Sequence, residues 1–597
     1  MSESRIASET PGRENWGSKL GVILAVAGSA VGLGNFLRFP GVAVQNGGGA
    51  FMIPYFLAFL LVGIPICWAE WIMGRRGGRL SGLSSSPGLF SVLTKGSPFR
   101  FVGALGLFVP VVIYMYYVYV ESWCLAYAWY SLSGALNLKD SAIDAPYRVF
   151  YNEFVNNPTE GPSQFFSGIA YSYGFFLFTF FINFYLIFRG LSRGIERFCR
   201  VAMPLLVFLA IIIVIRVITL GTPDPTHPEQ SVINGLGYMW NPDWEQLKDA
   251  KMWLSACGQV FFSLSVGFGI IVTYASYLRK QDDVVLSGLT ASATNEFCEV
   301  CLGGLMVIPA AMVFLGASQM AVVAGESTFG IGFVVMPQIF DLMPVGQLFS
   351  TLFYFLLFLA GVTSSLSMLQ PGIAFFEEGF GLNRRASVTI LGMLTFLGVN
   401  GVILSEGTVV QDTIDKYAAE LGIPLLALFE VFIFVFVLKV AKGIREASHG
   451  ADMRLPKFFG FVITYITPIF LIVIIGWWFK STFTEERDFM KETRTELAAV
   501  MPENYAEEIQ MLEKKIQLQP FLQKTLQNTI PPSALDYATS LDKQLKLEAE
   551  QRPVQNATIA FMLIFFVMLM ILQAIAWPRM KRRYKAYQRA LGADAFD

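Results

Sequence analysis

The chain has 597 residues, 54% hydrophobic and only 15% charged, with a formal net charge of -1 and two histidines. A soluble domain carries about a quarter charged residues, so this composition, with a mean hydropathy of +0.53, indicates a polytopic helical membrane protein. The balanced charge gives no footprint for nucleic acid, and His227 and His449 sit in polar segments, which excludes a buried histidine relay.

The first 16 residues are polar and are expected to form a cytoplasmic tail, not a cleavable signal peptide. Crossing a bilayer takes about 20 apolar residues. Twelve such runs follow, near 17–40, 49–73, 100–131, 166–188, 193–220, 252–278, 287–317, 346–377, 386–405, 409–440, 456–479 and 557–577. Basic clusters follow the even-numbered runs: Arg75, Arg76, Arg79, Lys95 and Arg100; Arg189, Arg193, Arg197 and Arg200; Arg384 and Arg385; Lys439, Lys442 and Arg445; Arg579, Lys581, Arg582, Arg583 and Lys585. The positive-inside rule then places both termini in the cytoplasm, with the protein in the inner (plasma) membrane.

The first run is interrupted by Gly28-Ser29-Ala30-Val31-Gly32-Leu33-Gly34-Asn35. Backbone at membrane depth cannot stay unpaired against lipid, so a weak helix there must line an enclosed cavity. A second break, Ser263-Leu264-Ser265-Val266-Gly267-Phe268-Gly269, lies five runs later. Two broken helices at matching places suggest an inverted repeat, with a substrate site between them at mid-membrane. The expected organisation is a first repeat over 17–220, an extracellular loop over 221–251 and a second repeat over 252–440. An eleventh span at 456–479, a long extracytoplasmic helical loop at 480–556, a twelfth span at 557–577 and a cytoplasmic tail at 578–597 complete it. Cys298 and Cys301 form a CxxC without a second ligand pair, so they read as small buried residues.

Several motifs agree in order and spacing with one family. Asn15-Trp16-Gly17, Gly28 to Pro40, Asn46-Gly47-Gly48-Gly49-Ala50-Phe51, Tyr116-Tyr117-Val118-Tyr119 with Glu121-Ser122-Trp123, Gly194-Ile195-Glu196-Arg197-Phe198 and Ala360-Gly361-Val362-Thr363-Ser364-Ser365 closely resemble the neurotransmitter:sodium symporter family, particularly its bacterial amino acid transporters. The resemblance covers roughly residues 13 to 480. It implies an all-α membrane protein of twelve transmembrane helices, with a LeuT-type 5+5 inverted repeat and discontinuous helices 1 and 6. It implies a sodium-coupled symporter, not an enzyme; no nucleophile–base pair or metal-spaced ligand set competes with that reading.

The resemblance also implies two sodium sites. The first takes the Ala30 carbonyl, Asn35, Ser263 and Asn295, completed by the substrate carboxylate; the second takes the Gly28, Val31 and Ala360 carbonyls with the Thr363 and Ser364 hydroxyls. Residues 360, 363 and 364 share one helical face. Glu299, one turn from Asn295, occupies the position where chloride-dependent relatives carry a serine. It is expected to supply chloride's charge beside Tyr55, Gln259 and Ser263, so transport should be independent of chloride.

Gly32 stands where amine-carrying relatives place an aspartate, which implies a cargo with its own carboxylate. By resemblance the amino-acid backbone meets Ser29, Ala30, Gly34, Tyr117, Ser263 and Ser265, and the side-chain pocket is Ile113, Tyr117, Phe262, Phe268, Ser364 and Met368. The pocket holds no charge, so a small neutral, aliphatic amino acid is expected. Arg38 with Asp415 is the expected outer gate. Arg13, Trp16, Tyr277, Gln370 and Glu378 form the expected inner gate, Glu378 standing where the family has an aspartate. Expected partners are the amino acid, two sodium ions and the bilayer, with no nucleic acid; a homodimer is compatible with the sequence. A carrier of another small zwitterion, or a non-transporting amino acid sensor, remains the alternative.

Overall fold

The computed structural model describes residues 16–157, 163–166, 168–324, 328–405, 407–485 and 532–591, and these are helical with no strand among them. Arg13 lies outside the described residues. Chain contacts group Met1–Ile474 with Met562–Asp597 in one unit and Ile475–Phe561 in a second.

In chain order the main helices are α1 (Lys19–Ala30), α2 (Gly34–Gln45), α3 (Gly49–Ser81), α4 (Ser86–Leu93), α5 (Pro98–Leu132), α6 (Ala170–Phe188), α7 (Leu191–Ile218), α8 (Ala250–Leu264), α9 (Ile270–Ser276), α10 (Val285–Gly316), α11 (Gly346–Gly379), α12 (Arg384–Ile403), α13 (Val409–Ala447), α14 (Phe459–Phe483) and α15 (Gln551–Arg589). Ten of them are long and apolar enough to cross a membrane by themselves. The pair α1–α2, bent by 47° at its break, makes an eleventh candidate. The expected sixth crossing is split into α8 and α9, each too short to span by itself.

The observed ends differ from the sequence reading mainly on the basic side. α3 runs to Ser81 and α13 to Ala447, because a helix continues past the lipid boundary until a cap stops it. For α3 that cap is Gly82, at φ +66°, whose N–H donates to the Gly78 carbonyl at 2.8 Å. The segment expected as a helical loop up to 556 is helical where it is described. From Pro532 it belongs to one continuous helix that ends at Leu591. Residues 486–531 of that expected loop lie outside the described residues.

Burial sorts the bundle. In its most apolar window α5 is 94% buried and α11 89%, whereas α6 is 28% buried and exposes Phe178, Phe181 and Tyr185. α5 and α11 pack along one another at the centre; α1 lies against α10 and α11, α8 against α3, and α9 against α3. The two broken helices therefore sit inside a protein wall, as unpaired backbone at that depth requires.

Candidate functional site

The first break follows Ala30. Val31 leaves the helix at φ -73°, ψ 97°, and α2 starts again at Gly34. The second break is tighter: Ser265, Gly267 and Gly269 take φ values of +54°, +74° and +73°. Glycine is required twice here. A Cβ on Gly267 would stand 2.6 Å from the Ile423 carbonyl oxygen, and one on Gly269 2.5 Å from that of Gly106. Ser265 holds the same left-handed region with a side chain, a conformation that persists only where surroundings enforce it. Its hydroxyl donates to the Ser29 carbonyl at 3.0 Å, tying one break to the other.

The broken backbone leaves carbonyl oxygens facing α11. The Ser364 hydroxyl lies 3.3 Å from the Gly28 oxygen, 3.1 Å from that of Ser29 and 3.5 Å from that of Val31. One hydroxyl proton cannot satisfy three carbonyls at once. Lone pairs therefore converge on a point beside Ser364, in surroundings of neutral oxygen that suit a hard monovalent cation. Thr363 instead donates to the Ala360 carbonyl one turn back, at 3.0 Å, so in this structure its proton is used within its own helix. Gly28, Val31, Ala360, Thr363 and Ser364 are all buried.

A second polar cluster joins α2, α8 and α10. The Asn35 amide donates to the Asn295 side-chain oxygen at 2.9 Å and accepts from the Gly32 N–H at 2.8 Å. Asn295 donates to the Ser263 hydroxyl at 2.6 Å, and Ser263 donates to Glu299. Gln259 donates to the other Glu299 oxygen at 2.5 Å. Asn35, Asn295 and Glu299 show no exposure at all and Ser263 shows 1%. The structure thus brings together Asn35, Ser263, Asn295 and Glu299, four side chains from three elements. Tyr55 also stands beside Glu299, as expected, and its hydroxyl donates to a second carboxylate, Glu296, at 3.0 Å. Glu296 lies on the α10 turn that carries Asn295, so two buried acids share the tyrosine.

Between the two clusters lie the residues expected to line the substrate pocket. The Tyr117 hydroxyl accepts the Leu33 N–H at 3.1 Å. A Cβ on Gly32 would stand 2.7 Å from both the Ser364 and Tyr117 oxygens, and one on Gly34 2.9 Å from the Phe262 ring. Gly32 and Gly34 thus keep clear a backbone surface whose amides face polar oxygens. Ile113, Phe268 and Met368 are buried on α5, the α8–α9 link and α11. Ser29 shares a hydrogen bond with Ser367 at 2.7 Å, and Ala30 ends the helix beside it.

The expected gates are only partly as anticipated. Arg38 does not pair with Asp415. Its guanidinium lies over the Phe262 ring at 4.6 Å, while Asp415 accepts the Tyr116 hydroxyl at 2.7 Å. The tyrosine, one position before Tyr117, fills the acceptor that the arginine was expected to reach. At the other end the Trp16 indole donates to the Tyr274 carbonyl at 3.0 Å and packs edge-on to its ring at 5.1 Å. Gln370 donates to the Tyr277 hydroxyl at 3.0 Å. Glu378 accepts the Ser84 N–H at 2.6 Å, the Ser85 N–H at 3.1 Å and the Ser85 hydroxyl at 2.7 Å. Its extra methylene lets it reach the turn before α4.

Several buried acids escaped the sequence reading. Glu70 on α3 accepts the Gly267 N–H at 2.6 Å and so holds the second break open. Glu196 accepts the Gly17 N–H at 2.8 Å and the Ser18 hydroxyl at 3.2 Å, anchoring the start of α1. Glu121 accepts from Asn183, which in turn accepts from Ser365, at 2.8 and 2.7 Å. Each is an acid inside or beside an apolar run, and that costly placement was the available signal. Among the described residues no group of three or more His, Cys, Asp or Glu side chains converges as a metal site.

The chain matches the model of the sodium:neurotransmitter symporter family over residues 13–161 and 166–489. It is 29% identical over 480 residues to an uncharacterized sodium-dependent transporter of Methanocaldococcus jannaschii, covering 78% of this chain and 90% of that one. It is 24% identical to the sodium- and chloride-dependent glycine transporter 2 of Xenopus laevis, over 79% of this chain and 65% of that one. Among solved structures it is similar to MhsT in complex with L-phenylalanine, with a TM-score of 0.66 and 29% identity, covering 78% of this chain and 99% of that one.

Proposed function

Because the chain belongs to the sodium:neurotransmitter symporter family and is a sodium-dependent multi-pass membrane symporter, we propose that it carries a small neutral α-amino acid with sodium bound at two sites, and that it does so without chloride. The observation that carries the reading is the bare backbone at Gly32, flanked by the Ser364 and Tyr117 oxygens. A substrate carboxylate there takes over the Gly32 and Leu33 amides, now held by the Asn35 oxygen and the Tyr117 hydroxyl, and accepts the Tyr117 proton. It also faces the Asn35–Ser263–Asn295 cluster, where it completes the first sodium shell. Ion and substrate each lower the desolvation cost of the other, which is a coupling free energy between two sites. The second ion lies beside Ser364, among the Gly28, Val31 and Ala360 carbonyls.

The ammonium turns to the carbonyls near Ser29, Ala30, Phe262 and Ser263. The side chain enters the uncharged space of Ile113, Phe262, Phe268 and Met368, where a charged group would be buried unpaired. MhsT holds L-phenylalanine, which supports an amino acid cargo; aliphatic residues such as leucine, valine, alanine and methionine fit the lining here, and methionine at 368 gives it breadth. Glu299, fixed by Ser263 and Gln259, carries the negative charge that a chloride-dependent relative takes from solution. A sodium ion entering down the membrane potential gains about 2.3 kcal/mol per 100 mV.

The test is uptake into proteoliposomes of each of the twenty labelled amino acids, with sodium, lithium or choline outside and gluconate replacing chloride. Neutral aliphatic amino acids should enter only with sodium and equally well in gluconate. Uptake without sodium, or loss of uptake in gluconate, overturns the coupling or the chloride reading respectively. Sodium-dependent binding without uptake would make the protein a sensor, and transport of a betaine in place of amino acids would replace the cargo.

A further inference from the structure

Past Trp577 the last helix leaves its apolar run and carries Arg579, Lys581, Arg582, Arg583, Lys585 and Arg589, with no acid from 571 to 591. The helix is rooted by Gln573, whose amide donates to the Pro87 carbonyl at 3.3 Å and to that of Arg100 at 2.7 Å. Its inward stripe is Ala576, Met580, Tyr584 and Tyr587, at the i, i+4, i+8 and i+11 positions of one face. Ala576 and Met580 are buried and the two tyrosines half-buried.

This face docks on three turns, each made by a left-handed glycine. Gly82, Gly96 and Gly381 have φ values of +66°, +75° and +68°. A Cβ on Gly82 would stand 2.9 Å from the Tyr587 ring, one on Gly96 3.5 Å from the Trp577 ring, and one on Gly381 would overlap the Arg579 guanidinium. The Gly82 turn leads directly into Ser84 and Ser85, which Glu378 holds, and the charge of Arg583 acts on that same carboxylate. The helix therefore backs the inner closure from behind.

The opposite face has no such use. Lys581, Arg582, Lys585 and Arg589 are exposed, and none forms an ion pair among the described residues. From Arg579 to Lys585 the helix rises about 9 Å, about one Debye length at physiological salt. These charges thus stand within electrostatic reach of the headgroups where the apolar run ends, with Trp577 at the boundary. We propose that this basic face binds anionic phospholipid headgroups, and that the bound lipid holds Tyr587 on Gly82 and Arg583 near Glu378, stabilising the closed inner face. The site rests on the orientation given by the basic clusters, not on the cargo.

The test uses the full chain, delipidated and offered phosphatidylglycerol and phosphatidylcholine in equal amounts, with retained lipid counted by native mass spectrometry. The wild type should prefer phosphatidylglycerol and lose that preference in 1 M salt. The combined variant Lys581→Gln, Arg582→Gln, Lys585→Gln and Arg589→Gln, with unchanged thermal unfolding, should lower the preference at least about tenfold; Lys581→Arg with Lys585→Arg should keep it. Equal retention of both lipids by the wild type, or an unchanged preference in the Gln variant, overturns the proposal. So does capture of polyglutamate without any lipid preference, which would point to an acidic protein partner. Sodium-driven alanine uptake should be faster in liposomes containing phosphatidylglycerol than in phosphatidylcholine alone for the wild type and equal for the Gln variant; a lipid effect that persists in the Gln variant overturns the link to the inner face. Absence of uptake in every lipid would fault the cargo reading and leave the mass spectrometry to decide the lipid site.

Discussion

Around Asn295 a carboxylate closes the oxygen cluster, whereas around Ser364 the oxygens are all neutral. Glu299 receives hydrogen bonds from Gln259 and Ser263 and lies 3.3 Å from the Asn295 amide. Ser364 faces the Gly28, Ser29 and Val31 carbonyls and the Tyr117 hydroxyl. The difference follows from what each cluster adjoins. The first stands beside the space proposed for a substrate carboxylate, and the role proposed for Glu299 is to balance the cation whatever the substrate does. The second relies on carbonyls released by an interrupted helix, which cost nothing further in charge burial. One cluster is therefore side-chain chemistry supported by a fold, and the other is backbone chemistry exposed by a break.

Substitutions at four positions probe that contrast, in falling order of effect. Gly32→Asp should be the most damaging. Its Cβ meets the Ser364 and Tyr117 oxygens at 2.7 Å, and its carboxylate takes the substrate's place, so amino acid uptake should fall about a hundredfold or more. Retained uptake with unchanged KM would show that the substrate carboxylate lies elsewhere. Glu299→Gln comes next, because charge-assisted hydrogen bonds are at stake. The sodium concentration for half-maximal uptake should rise about tenfold or more in gluconate, and Glu299→Ser should be rescued by chloride. A serine variant indifferent to chloride would sink the charge-substitution reading.

Ser364→Ala removes the hydroxyl shared by three carbonyls and should weaken sodium binding about tenfold, measured by the sodium dependence of substrate binding. Thr363→Val should cost only about threefold, since the Thr363 proton is already used by Ala360 within α11. If Thr363→Val were as severe as Ser364→Ala, the two hydroxyls would be equivalent ligands and the contrast drawn from their hydrogen bonds would fail.

Much of the helical order was legible because a bilayer imposes one strong rule. Apolar runs near 100–131 and 346–377 reappear as Pro98–Leu132 and Gly346–Gly379. The breaks were legible for the same reason, since glycine and serine at membrane depth have few explanations. The buried acids were visible as letters but not always as partners: nothing local adds Glu296 to Glu299 beside Tyr55, or puts Tyr116 and not Arg38 on Asp415. Such pairings join residues 241 and 299 positions apart in the chain. Helix was expected before the last span, but its unbroken run from Pro532 into that span was not legible, because the polar first half lacks the apolar stripe that would join the two.

The sequence by itself determined the class, the two interruptions and the family, all of which rest on local composition and on motifs that keep their spacing. Only the tertiary structure decided that the Ser29 carbonyl joins those of Gly28 and Val31 at Ser364, which acid holds Gly267 and which turn Glu378 caps. Those are choices among competing partners of equal chemistry, and they are settled by distance and burial across helices, which no local stretch of sequence encodes.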